Sequence, residues 1–129
     1  LRAKYSDPKA DYDPKKKSRI LAAWDLADGK LKERKWAEGI EEIKRFRELS
    51  PFWGEVGIEF DLGAAYRHLE HYEKAVIHLL LADALMDYKW EHEPKDKERY
   101  DGRLYRNLAR SLTGINRHEE ARFFKQKAE

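Results

Sequence analysis

The chain has 129 residues, no cysteine, 40% charged side chains and a formal net charge of +2 from 27 basic and 25 acidic groups. That length suits one domain that buries about two thirds of its unfolded surface, and the near-cancelling charges give no global nucleic-acid or membrane signal. Without cysteine there is no disulfide framework, thiolate nucleophile or thiolate zinc site, and the redox compartment stays open. The longest apolar run, Ala75 to Asp83, is far short of the roughly 20 residues a membrane helix needs and is interrupted by His78.

Residues 1–13 read as a basic N-terminal arm, disordered or packed on the first helix pair. The lysines at 15–17 could touch nucleic acid or an anionic surface, but Asp7, Asp11 and Asp13 dilute them and a solvated first turn explains them better. Tyr5 and Tyr12 could instead cover the open edge of the first helix pair.

From there the chain repeats itself three times, over about 14–50, 51–92 and 93–129. The first copy runs through Leu26-Ala27, Trp36, Gly39, Ile43 and Phe46; the second through Leu62-Gly63, Tyr66, Tyr72, Ala75, Leu79 and Ala82; the third through Leu108-Ala109, Leu112, Ala121 and Ala128. The small residues Gly39, Ala75 and Ala121 are 36 and 46 positions apart. Each copy holds two apolar series at helical spacing, such as Leu62, Tyr66, Leu69 and then Ala75, Leu79, Ala82, separated by a short polar turn. Helices are expected at 14–32, 36–49, 52–69, 73–91, 95–113 and 117–128. Asp13-Pro14, Ser50-Pro51 and Glu93-Pro94 mark the starts of the first, third and fifth, because proline suits the first helical position. The longer second spacing is read as lengthened helix ends over 88–99. Gly63 and Ala75 are expected to let the paired helices approach closely; otherwise a mid-helix glycine costs about 1 kcal/mol.

This pattern resembles the tetratricopeptide repeat family, best in the second copy, over roughly residues 18–129. The departures are Lys30, Gly39, Phe46, Asp87 and Lys125. The resemblance implies an all-α fold, a right-handed solenoid of three helix-turn-helix repeats, and a non-catalytic module for binding a peptide or helix of a partner protein as an adaptor or assembly factor. In that family the first helix of each repeat lines a concave groove. Carried onto this chain, the groove positions are Leu21, Trp24, Asp25, Asp28 and Leu31, then Gly57, Phe60, Asp61, Ala64 and Arg67, then Arg103, Arg106, Asn107, Arg110 and Thr113. They give two aromatic anchors, an acidic end at Asp25, Asp28 and Asp61, and a basic end at Arg103, Arg106 and Arg110. The competing reading is a solvated helix face, with Trp24 packed on the N-terminal arm. Capture of an acidic C-terminal tail, as some family members do, is disfavoured: Trp24, Asp28 and Asp61 stand where a lysine and two asparagines would be needed, and only Arg103 and Asn107 partly fit.

Other chemistry is weakly signalled. His68 and His71 lack further ligands for zinc, and His71 and His118 read as turn residues flanking the repeat. No carboxylate is expected to lie in surroundings that shift its pKa. No nucleophile elbow, phosphate loop or Walker lysine is present. No cofactor, metal, small-molecule substrate or catalytic residue is expected. Trp53 and Trp90 are not required by the repeat; Trp53 reads as a core cap, and Trp90 as either a cap or an exposed anchor. Two other functions compete: self-assembly through the solenoid ends, giving a homo-oligomer, and RNA binding through the arginines.

Overall fold

The computed structural model describes residues 14–50, 55–90 and 97–129. They form six helices: α1 (Pro14–Lys32), α2 (Trp36–Leu49), α3 (Glu55–His68), α4 (Tyr72–Trp90), α5 (Lys97–Gly114) and α6 (His118–Lys127). Among the described residues there is no strand, so the fold is all-α. The helices lie within a few residues of the positions read from the apolar periodicity. The N-terminal arm, Pro51, Trp53 and Pro94 lie outside the described residues, as does the side chain of Trp90.

Three turns of the same construction join α1 to α2, α3 to α4 and α5 to α6. Arg34, Glu70 and Asn116 each take a left-handed conformation, with φ of 61°, 62° and 62°. In each turn the next amide reaches back five residues: Lys35 to the Lys30 carbonyl, His71 to Tyr66 and Arg117 to Leu112, all at 2.9 Å. The left-handed residue itself donates to the carbonyl three back, closing a Schellman-type helix end that satisfies otherwise orphaned carbonyls. These residues are 36 and 46 apart, the spacing that the small residues show in the sequence.

Such tight turns make neighbouring helices antiparallel, and the contacts agree. Within α1 and α2, Leu31 meets Gly39 near the turn while Trp24 meets Phe46 farther away. Between α2 and α3, Trp36 stacks on His68 and Arg47 reaches Glu59. Between α4 and α5, Tyr72 lies against Gly114 and Asp83 accepts from the Tyr105 hydroxyl. Each helix therefore packs on its successor, and α3 also touches α5 directly.

One continuous apolar cluster runs through the stack, from Ile20 and Ala27 through Ile43, Phe46, Leu62, Ala65, Leu79 and Met86 to Leu104, Leu108 and Ala121. Close approach is built in at Gly63, where an added Cβ would lie 2.5 Å from Leu79 Cγ and 3.2 Å from the Leu79 amide nitrogen. The three atoms nearest that point all belong to Leu79, so the residue opposite Gly63 is Leu79, one helical turn beyond the expected Ala75. The register departs at one further place. Leu62 and Leu108 are buried, whereas Leu26, their counterpart in α1, is 49% exposed. Helix α1 is the first described helix and has no described helix pair before it, so among the described residues this position lacks the cover that α3 and α5 receive.

Candidate functional site

If neighbours run antiparallel, alternate helices run parallel, and α1, α3 and α5 present equivalent positions along one side of the stack. Most of the groove residues read from the sequence meet there. The Arg103 guanidinium of α5 lies over the Phe60 ring of α3, 5.8 Å from its centroid. Arg67 Nε donates to Asn107 Oδ1 at 2.5 Å, and the Asn107 amide nitrogen donates to the Arg103 carbonyl at 2.8 Å. From α1, Asp28 acts on Asp61, and from α5, Arg110 acts on Arg67. Ala64 sits half-buried between Phe60 and Arg67, one turn from each.

Position by position, the outcome is mixed. Asp25, Arg103, Arg106 and Arg110 are exposed. Phe60 is only 8% exposed, so it is floor and not a projecting anchor. Trp24 is half-buried with its ring 5.2 Å from that of Phe46, so it belongs partly to the α1–α2 contact. Asn107 spends its amide within the chain, which removes it as a ready clamp for a carboxylate.

The electrostatics separate two ends. Burial pushes Asp61 up to about 6; the nearby Asp28 carboxylate adds to the rise and Arg103 opposes it. This corrects the expectation that no carboxylate would be perturbed. Four apolar or small residues lie next to Asp61 in sequence (Phe60, Leu62, Gly63, Ala64), and Asp28 of α1 and Arg103 of α5 act on it from far along the chain. Among the described residues no hydrogen bond or ion pair holds Asp61, whereas Asp28 is bridged to Lys32 at 2.9 Å. At the other end, burial and the neighbouring Arg110 hold Arg67 below its ordinary value. A half-buried acid without a hydrogen bond among the described residues and a half-buried cation held by Asn107 thus lie on one face.

A second polar group was not read from the sequence. Glu59 is 7% exposed. Its carboxylate takes the Arg47 guanidinium on one oxygen, at 2.5 Å, and His78 Nδ1 on the other, at 2.6 Å. Burial alone would raise the Glu59 pKa, but the hydrogen bonds from His78 and Arg47 outweigh it and keep the group below its usual value. The His78 ring also stacks on Tyr66 at 5.4 Å. This cluster ties α2, α3 and α4 together inside the stack, away from the side that α1, α3 and α5 share. A glutamate three residues before Leu62, on the packing side of its helix, was the available signal.

Of the histidines read as turn residues, His71 lies in the α3–α4 turn and His118 opens α6, while His68 stacks on Trp36 with ring centroids 4.1 Å apart. Among the described residues no three histidine, cysteine or acidic groups are placed to share a metal ion, and no helix is long and apolar enough to cross a membrane. Comparison with protein-family models, with curated proteins and with solved structures gave no match.

Proposed function

We propose that the chain is a tetratricopeptide-like module, three helix pairs stacked as a right-handed solenoid, that holds a peptide or helix of a partner protein on the face formed by α1, α3 and α5. It acts as an adaptor or assembly factor and carries out no chemistry of its own. Support for the repeat reading comes from the three turns of the same construction, whose left-handed residues are 36 and 46 positions apart. The observation that carries the binding reading is Asp61, a half-buried carboxylate without an ion-pair partner among the described residues, set beside Asp28 on a face whose far end is cationic. Burying an unmatched charge is unfavourable, and a basic side chain from a ligand would relieve it. An adjoining acidic side chain of the same ligand would meet Arg103 and Arg106.

The test is a comparison of proteins captured from native lysate by the wild-type chain and by Arg103→Glu/Arg106→Glu. Both positions are exposed, and because Arg103 also lies over Phe60, matching circular dichroism spectra establish that the variant folds; Trp24→Ala is less suitable because Trp24 packs on Phe46. The proposal expects a defined set of proteins enriched by the wild type and reduced at least about tenfold with the variant. Equal enrichment by both would contradict it.

A further inference from the structure

We infer that the cleft between α5 and α6, the last two described helices, is a seat for an acidic helical segment of a partner protein. Each helix pair receives the next through one face of its second helix. Helix α2 turns Trp36, Ile40, Ile43 and Arg47 toward α3, as the Trp36–His68 stack and the Arg47–Glu59 bond show at its two ends. Helix α4 does the same toward α5 at Tyr72, which lies against Gly114, and at Asp83, which accepts from the Tyr105 hydroxyl; Val76 and Leu79 are the buried positions between them, with Leu79 also against Gly63 of α3. Stepping on by the repeat spacing of 46 places His118, Arg122 and Lys125 at the first three of these positions on α6, with Glu129 just past its end. The apolar seat of the first two pairs has become a charged one.

That seat is an open cleft of about 820 Å³. Its floor is small, with Ala109, Thr113, Ala121 and Ala128, so a helix backbone can come close. Its rim carries Arg106, Arg110, Arg122 and Lys125 against one acidic group, Glu129. All four cations are exposed, and none is ion-paired among the described residues.

A merely solvated edge would not need this imbalance. Several basic groups elsewhere on the surface have acidic partners, as in Lys30–Glu38, Lys32–Asp28, Arg45–Glu42 and Arg117–Glu120, whereas among the described residues none of the four around the cleft does. Four cations gathered around a helix-shaped gap repel one another until an anionic surface arrives. A ten-residue α6 presents about 15 Å of seat, so a segment of about three turns with Glu or Asp at i, i+4 fits it.

Two other occupants suit the seat less well. Among the described residues no phenyl, phenol or indole ring lines it, and the single imidazole of His118 is a small stacking surface for single-stranded nucleic acid. A second copy would have to offer acids, but the outer face of α2 at the other end has Glu38, Glu41 and Glu42 already bridged to Lys30, Lys44 and Arg45. The seat shares Arg106 and Arg110 with the face of α1, α3 and α5, but Arg122 and Lys125 belong to it alone. Their failure in a test therefore leaves the groove reading untouched.

The probe is a fluorescein-labelled 16-residue helical peptide of Glu, Ala and Leu, with glutamates at i, i+4 along one face, titrated by fluorescence anisotropy at 50 and 200 mM NaCl. Saturable one-to-one binding is expected, weaker at the higher salt. Arg122→Glu/Lys125→Glu should lower the affinity at least about tenfold. Lys16→Glu/Lys44→Glu, which changes net charge equally at exposed positions off the seat, should bind like the wild type; matching circular dichroism spectra establish that both variants fold. Four results would each overturn the inference: no saturable binding, equal loss in both variants, tighter binding of a 16-nucleotide single-stranded RNA than of the peptide, or light scattering showing peptide-free chains that associate and are dispersed by Arg122→Glu/Lys125→Glu.

Discussion

Among single residues, Asp61 bears most directly on function. It follows Phe60 and precedes Leu62, both buried, and its carboxyl feels the charge of Asp28 on α1. Because the folded state raises its pKa from 3.8 to about 6, the folded chain holds this proton more tightly than the unfolded chain does. The group therefore costs nothing in acid and destabilises the fold increasingly as pH rises through that interval. Asp61→Asn is expected to stabilise the chain by about 1–2 kcal/mol at pH 7.5, with the gain vanishing below pH 3.8. Urea denaturation of both proteins at the two pH values measures it, and an identical difference at both would show that the carboxylate is not perturbed. Glu59, equally close to the core, behaves oppositely because it accepts hydrogen bonds from Arg47 and His78 that Asp61 lacks among the described residues.

Helix pairing sets the next scale, and Gly63 tests it. A methyl group there would press on Leu79, whose side chain is fully buried and whose backbone nitrogen is 3.2 Å away, so neither can withdraw. Gly63→Ala is expected to destabilise by about 2 kcal/mol despite alanine's better helix propensity, because overpacking outweighs the roughly 1 kcal/mol that the propensity returns. Gly29 has open space around its Cβ direction, so Gly29→Ala in α1 should be neutral or stabilising in the same thermal melts. The helices themselves were legible because their apolar spacing and turn lengths are local properties of the chain. The partner of Gly63 was not, since Ala75 and Leu79 share a helix face and only the tertiary register chooses between them. Leu26 misled for a related reason: its sequence matches Leu62 and Leu108, but the helix pair that would bury it is missing among the described residues. Glu59 was missed because a buried acid announces itself only through Arg47 and His78, one on each flanking helix. The apolar run of α4 also overstated its burial, as Ile77, Leu80 and Leu81 point outward and remain 57%, 42% and 46% exposed.

For the whole molecule, antiparallel pairing makes two unlike sides. The odd-numbered helices gather Asp28, Phe60, Asp61, Arg67, Arg103, Asn107 and Arg110 together from three separate stretches of chain. The sequence named these residues through the resemblance, but the pairing of Arg67 with Asn107 and the burial of Phe60 needed the fold. Those contacts tie α3 to α5 and set the acids Asp28 and Asp61 on the same face as the cations Arg67, Arg103 and Arg110. The cleft between α5 and α6, lined by Arg122 and Lys125, is a second and separable surface.

Whether ligands engage the side formed by α1, α3 and α5 can be read from amide chemical shifts. The experiment titrates ¹⁵N-labelled protein with a helical peptide selected from a random phage-displayed library. Large shifts are expected on Asp25, Asp28, Asp61, Ala64, Arg103 and Arg106, with α2 and α4 quiet. Shifts concentrated on the outward residues of α2 and α4, such as Lys44, Glu48, Ile77 and Leu81, would contradict this assignment.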